Sequence, residues 1–194
     1  MKSVVGGHRL SLVDLRLATP DAEHWHSWRE ARAEWPLGSH QDGSGLRLAG
    51  DIETVSDFAT WTEALRRQAD DAVPPPPSEV HTTFSWIMSG SVFLGSIDVR
   101  HRLNEFLADA GGHVGYSVRP TARGAGVATW ALRAVLPLAV ELGLTRLLLT
   151  CDPDNDASRR TIEHGGGVLE GRRETSIGPK LRFWIDLGSD PRHR

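Results

Sequence analysis

Apolar residues recur along this chain at two spacings, and the switches between them divide it into elements. "LSLVDLRLA" alternates well enough to predict a first strand. Thr19, Pro20 and Asp21 then offer an N-cap, a favoured first-turn proline and a first-turn acid, which predicts a helix to about Trp35. Trp25, Trp28, Arg32 and Trp35 fall near one face of it. After the loop "SHQDGSG", Thr54 and Asp57 have capping-box spacing, and Val55, Phe58, Trp61 and Leu65 recur at helical spacing, so a second helix is expected to about Ala69. "VPPPPS" ends it as a stiff connector within one domain.

"HTTFSWIMSGSVFLGSIDVRHRL" reads as two strands joined by the turn "SGS", and "EFLADAGG" as a loop leading to a strand that ends at Val118. A long helix follows, apolar at Val127, Trp130, Ala134, Leu138 and Leu142, with Pro137 expected to kink it and Gly143 to close it. "LTRLLLTC" is a buried strand, "DPDNDASRRTIEHGGG" a turn and short helix, and "VLEGRR" with "LRFWIDL" a closing hairpin. The order β-α-α-β-β-β-α-β-α-β-β predicts an α/β (α+β) fold, a mixed, mostly antiparallel sheet flanked by helices, because an antiparallel meander precedes a β-α-β crossover.

Length and composition narrow the classes. The 194 residues suit a single domain, 1–194, with 1–8 and 189–194 as loose termini. A net charge of −3 speaks against a nucleic-acid partner bound through phosphate neutralisation. No run has the length of a membrane span and the N-terminal residues lack the apolar core of a secretion signal, so a cytoplasmic protein without a membrane partner is expected. Cys151, the only cysteine, excludes an internal disulfide and a thiolate zinc cluster. Assembly as a homodimer stays compatible with all of this.

The chemistry concentrates in "RPTARGAGVATW", Arg119 to Trp130, where a strand hands over to a helix. Glycines there let several N–H groups converge on one point, and the helix start adds its positive dipole end, so the turn has the outline of a phosphate cradle. A Walker loop fails, because Val127 and Ala128 stand where Lys and Ser or Thr are required. A dinucleotide fingerprint fails at its third glycine, occupied by Thr129, and in its long entry loop. Asp152, Asp154, Asp156 and Glu163 echo a calcium loop, but Ala157 replaces its glycine and Arg159 and Arg160 add positive charge. His24 and His26 lie two apart on a helix and share no face, so no metal is expected.

Together, "VRPTARGAGVA", "LLLTCDPDNDASRRTIEHGG" and "VLEG" resemble the GNAT superfamily of acyl-CoA-dependent N-acyltransferases. In that family an Arg or Gln, two residues, Gly, one residue, and Gly or Ala form the turn for the coenzyme A pyrophosphate. Arg123, Gly126 and Ala128 match in register, Gly124 adds permissiveness, and Asn155 and Ser158 follow at the family's distance. The resemblance implies acetyl-CoA as co-substrate, held by Val118, Arg119, Arg123, Gly124, Ala125, Gly126, Val127, Ala128, Asn155 and Ser158, in a gap where the strands on either side of the long helix splay apart. It implies direct attack of an amine on the thioester, with a backbone N–H near Tyr116 or Ser117 for the oxyanion.

His113 is the first candidate for the base, followed by His101, Asp98 and Glu105. Many family members carry a tyrosine acid where this chain has Ile162, which leaves Ser158, water or Tyr116, the only tyrosine, to protonate the thiolate. Trp25, Trp28, Trp35 and Trp184 are candidates for lining an acceptor pocket, and the expected acceptor is a primary amine, a small molecule ahead of a protein. The alternative is a non-catalytic acyl-CoA-binding module or sensor of the same fold.

Overall fold

The structure is a computed structural model that describes residues 4–5, 8–9, 12–36 and 38–188. Residues 189–194 and most of 1–8, expected as loose termini, lie outside those described; near the N-terminus β1 (Val4–Val5) pairs antiparallel with β2 (His8–Arg9). A four-stranded antiparallel sheet runs β3 (Leu15–Ala18), β4 (Thr82–Ser89), β5 (Val92–Arg100), β6 (Val114–Val118). A three-stranded sheet runs β7 (Arg146–Cys151), β9 (Gly178–Asp186), β8 (Val168–Thr175). The two meet where β6 begins, and no ladder joins β6 to β7 beyond that point.

Alternation along β4 and β5 sends side chains into two cores. Ile87, Leu94, Ile97 and Val99 pack with Val114 and Val118 against α3 (Val127–Ala134), α4 (Leu136–Glu141), α5 (Asp156–His164) and the second sheet. Phe84, Trp86, Met88 and Phe93 pack on the opposite side against α1 (Trp25–Ala33) and α2 (Val55–Arg67). Here Trp28, Phe58, Trp61 and Trp86 form a continuous aromatic layer, with the Trp28 and Phe58 centroids 4.9 Å apart. Burying such side chains contributes roughly 2–3 kcal/mol each.

Several boundaries differ from the sequence expectation for local reasons. Asp21, not Thr19, caps the first helical segment, its carboxylate accepting from Glu23 N–H at 3.0 Å in a short 3-10 turn that leads into α1. The capping box of α2 is formed, with Asp57 N–H donating to Thr54 Oγ1 at 3.2 Å and Thr54 N–H to Asp57 Oδ2 at 2.9 Å. Pro137 breaks the long helix outright: α3 stops at Ala134 and α4 begins at Leu136, so that Pro137 occupies the start of a new helix, where its missing N–H is harmless. "EFLADAGG", expected as a loop, holds a π-helical turn at Leu107–Gly111.

Candidate active site

β6 and β7 touch at one place and then part. His113 N–H donates to Leu148 O at 2.7 Å, and Leu148 N–H donates to His113 Nδ1 at 2.8 Å. Beyond this fork, β6 pairs with β5 through its odd-numbered residues: Arg100 N–H reaches His113 O, and Arg119 N–H reaches Leu94 O, both at 2.8 Å. Strand alternation therefore turns the backbone of Tyr116 and Val118 into the gap, facing Thr150 on β7. A cleft of about 1190 Å³ follows the gap, from the Arg123–Thr129 turn to the loop 39–47.

At one end lies the predicted cradle. Gly126 has φ +82° and is the N-cap of α3, a left-handed conformation that glycine alone adopts without strain. A Cβ built there meets only Leu12 Cδ1, at 3.7 Å, so the space beside Gly126 at the start of α3 is open. Arg123 borders the cleft, its Nε donating to Val118 O at 3.1 Å and its guanidinium lying 4.6 Å from the Trp35 ring centroid. The cradle carries glycines, free N–H groups and one rim arginine, which is the donor set a pyrophosphate requires.

Glu34, at the end of α1, anchors this turn from behind. Its carboxylate accepts from Arg119 and from Thr121 N–H at 3.1 Å and Thr121 Oγ1 at 2.8 Å. Burial alone would raise the Glu34 pKa, but the hydrogen bonds from Arg119 and Thr121 outweigh it and hold the group below the usual carboxylate value. Arg119 is buried, with Nη1 on Phe93 O at 3.1 Å, and stays behind the cleft instead of lending charge to its rim as expected.

Midway, Tyr116 crosses from β6 to α5, where its hydroxyl is 2.8 Å from Ser158 Oγ. Burial pushes the phenol up to about 12, so it remains a neutral hydrogen-bond donor. Asn155 caps α5, its Oδ1 accepting from Ser158 N–H at 3.0 Å, which leaves the side-chain NH₂ as a donor at the cleft. Cys151, also on the cleft wall, is a thiol pushed up to about 11 by burial.

Asp98 lies on the opposite face of the sheet, toward loop 39–47. Its Oδ1 accepts from Gly115 N–H at 2.7 Å and its Oδ2 from Arg100 Nη2 at 3.3 Å. Desolvation raises its pKa even though Arg100 opposes the shift. Gly43 (φ +72°) seats the loop on β6 so closely that a Cβ would stand 2.2 Å from Gly115 O. Gln41, Asp42, Arg47, Glu79 and Arg160 complete this cleft, and none was singled out from the sequence; Gly43 and Gly45 in "SHQDGSG" were the only signal.

The structure thus brings together Val118, Arg123, Gly124, Gly126, Val127, Ala128, Asn155, Ser158 and Tyr116 around one cleft. Ala125 instead turns its side chain toward the core. His113 sits behind the fork, buried, with Nδ1 engaged and its pKa pulled down to about 4 by burial, Arg100 and Arg146. Trp25 and Trp28 are interior to the aromatic core, and Trp184 lies on β9, bonded to Glu170 at 2.9 Å and stacked under Arg146 at 4.1 Å; of the four tryptophans only Trp35 borders the cleft. His101 bonds Thr83 at 2.8 Å beside His81, and neither it nor Glu105 borders the cleft. Among the described residues no His, Cys, Asp and Glu cluster could hold a metal, and no helix is long and apolar enough to cross a membrane.

The sequence profile of the acetyltransferase (GNAT) domain family matches residues 9–168. Among similar solved structures, Mycobacterium smegmatis RimJ with CoA-disulfide has a TM-score of 0.64 at 18% identity, over 89% of this chain and 81% of that one. An acetyltransferase from Salmonella typhimurium that modifies the N-terminal serine of the 50S ribosomal subunit protein L7/L12 has a TM-score of 0.61 at 14% identity, over 89% and 95%. The microcin C7 self-immunity acetyltransferase MccE, in complex with acetyl-CoA and AMP, has a TM-score of 0.62 at 14% identity, over 89% and 92%. At such identities the likeness shows the fold. No curated protein matches the chain by sequence.

Proposed function

The chain belongs to the acetyltransferase (GNAT) domain family, and we propose that it transfers the acetyl group of acetyl-CoA to a primary amine by direct attack within the β6–β7 fork. The observation that carries this reading is the continuous cleft that joins the glycine cradle at α3 to the Tyr116–Ser158 pair and to Asp98. Gly124, Gly126 and the first amides of α3 hold the diphosphate, and Arg123 adds charge at the rim. The coenzyme arm lies between the strands, where it accepts from the Asn155 amide and uses the backbone N–H of Val118 and the backbone of Thr150.

The two faces of the sheet divide the proton transfers. The amine enters beneath loop 39–47 and gives its proton to Asp98, directly or through one water. Its nitrogen lone pair attacks the thioester carbonyl carbon, and the backbone N–H of Tyr116 receives the developing oxyanion. The carbon–sulfur bond then breaks as the attacking nitrogen gives up its second proton, which passes through water to the departing thiolate, while Tyr116 O–H and Ser158 stabilise the sulfur as it leaves. Asp98 replaces His113 as the base because it borders the cleft and has a raised pKa, whereas the acceptor nitrogen of His113 is engaged by Leu148.

A small amine is the first acceptor reading, since loop 39–47 lies closely over β6 at the acceptor end of the cleft. A protein terminal amine is the second, supported by a structural neighbour named for acting on a ribosomal protein. With Cys151 as its only cysteine the chain forms no internal disulfide, which fits work in a reducing compartment such as the cytoplasm. Thiol release from acetyl-CoA is to be measured with a panel of small amines and N-terminal peptides; turnover with one class assigns the acceptor. Coenzyme binding without turnover across both would favour the non-catalytic acyl-CoA module.

A further inference from the structure

His113 lies where the two sheets part, and its surroundings explain why the ladder stops there. In a parallel pair, the N–H of Leu148 would go to a carbonyl of the neighbouring strand. Arg100 removes those carbonyls. Its Nη1 takes Gly111 O at 2.8 Å and Gly112 O at 3.2 Å, and its backbone N–H takes His113 O at 2.8 Å. With all three turned toward β5, Leu148 N–H would be a buried donor without a partner, and the His113 imidazole supplies the missing acceptor at 2.8 Å. Gly112 (φ +67°) makes the approach possible, since a Cβ there would stand 2.7 Å from Leu148 O.

We propose that His113 is a positioning residue whose ring serves as the last rung between β6 and β7, and that this rung fixes where the fork opens and therefore how deep the coenzyme arm can enter. The inference rests on the acetyl-CoA reading of the cleft for its second half only; the rung itself is a property of the free protein. An accepting Nδ1 carries no proton, so the ring is the neutral tautomer with its proton on Nε2. If the rung slips, the next groups along the gap, Tyr116 and Thr150, are free to pair with each other, and the gap that should admit the arm closes from its apex.

The charged groups that face the ring are Arg100 on β5 and Arg146 on β7, and both disfavour a second proton on it. A ring held neutral in this way remains an acceptor throughout the neutral range.

The test compares His113→Asn, whose Oδ1 falls close to the position of Nδ1, with His113→Leu, which fills the space without an acceptor. Amide hydrogen exchange at Leu148 in the coenzyme-free protein reads the rung, and calorimetry with coenzyme A reads the arm. Expected are exchange about tenfold or more faster in His113→Leu with wild-type behaviour in His113→Asn, and a coenzyme dissociation constant raised about tenfold in the first and less than about threefold in the second. If His113→Leu does not fold, the wild-type ring decides, because nitrogen chemical shifts must report a proton on Nε2 and none on Nδ1. Equal exchange in both variants, a proton on Nδ1, or failure of Asn to rescue coenzyme affinity overturns the proposal. Wild-type protein that shows the rung but binds no coenzyme A overturns the acetyl-CoA reading instead.

Discussion

The hydroxyl of Tyr116 on β6 lies 2.8 Å from Ser158 Oγ on α5, so the two walls of the cleft are linked at the depth proposed for the thioester. Ile162, fully buried in the core, occupies the helical position from which many members of this family present a tyrosine. The phenol reaches the same helix from the opposite strand. Tyr116→Phe is expected to lower kcat by roughly 10- to 100-fold while KM for acetyl-CoA changes less than about threefold, because the group acts on the leaving thiolate and not on the bound ground state. A KM effect as large as the kcat effect would instead make Tyr116 a binding residue.

Asp98 gives the clearest pH signature. Its folded-state pKa is raised, chiefly by burial, so the active carboxylate is lost as pH falls through a value above the usual Asp range. The pH profile of kcat/KM should therefore carry an acid limb that Asp98→Asn abolishes, together with a drop of about 100-fold at neutral pH. The stability sign runs the opposite way to activity. A carboxyl whose pKa is higher folded than unfolded binds its proton more tightly in the fold, so the penalty for ionising it is absent below the unfolded pKa and complete above the folded one. Asn keeps an acceptor for Gly115 N–H and removes the buried charge but turns its NH₂ on Arg100 Nη2, so the two effects oppose each other and the melting temperature at neutral pH should change little. A variant that is both inactive and markedly less stable would return Asp98 to a purely structural role.

The glycine turn was legible because its geometry is local: Arg123, Gly126 and Ala128 lie within one turn at the cleft, and Asn155 caps α5. The capping box of Thr54 and Asp57 was legible for the same reason. Trp25 and Trp28 were not, since helical spacing reveals that they share a face but not that α2 and the sheet cover it. Asp98 ranked behind His113 as a candidate base for a topological reason. Asp98 becomes a cleft residue only when loop 39–47 is laid over Gly115, a contact between segments more than 70 residues apart. What the sequence could not show of His113 is that Leu148 claims its acceptor, which follows from where Arg100 directs three backbone carbonyls.

Glu34 joins the tryptophan-rich half to the coenzyme turn through Arg119 and Thr121. Its folded pKa is depressed, so its contribution to stability is present above the unfolded carboxylate pKa and is lost as pH falls through the folded value. Glu34→Ala leaves the buried Arg119 without its carboxylate and should lower stability by about 2–3 kcal/mol, measured by urea denaturation at pH 7. The same variant should raise KM for acetyl-CoA several-fold, because the turn that begins at Arg119 loses its anchor. At pH 3 the difference between wild type and variant should shrink, and a constant difference from pH 7 to pH 3 would show that charge at Glu34 is irrelevant.

Gly126 separates backbone strain from ligand approach. At φ +82° any Cβ is strained, which predicts a loss of about 1 kcal/mol for Gly126→Ala whatever surrounds it. The space around it is open, the nearest atom to a built Cβ being Leu12 Cδ1 at 3.7 Å, so the fold should tolerate the methyl and remain two-state on denaturation. The coenzyme should not tolerate it, because that space is where the diphosphate meets the first amides of α3. Calorimetry should show coenzyme A affinity reduced at least about tenfold in Gly126→Ala and abolished in Gly126→Val, while Gly143→Ala, strained to a similar degree at φ +79° but outside the cleft, loses a comparable amount of stability and keeps its coenzyme affinity. Parallel losses of stability and affinity at Gly126 and Gly143 would mean that strain alone is responsible. Undiminished affinity in Gly126→Val would remove the diphosphate from this turn, and with it the reading of the cleft as a coenzyme site.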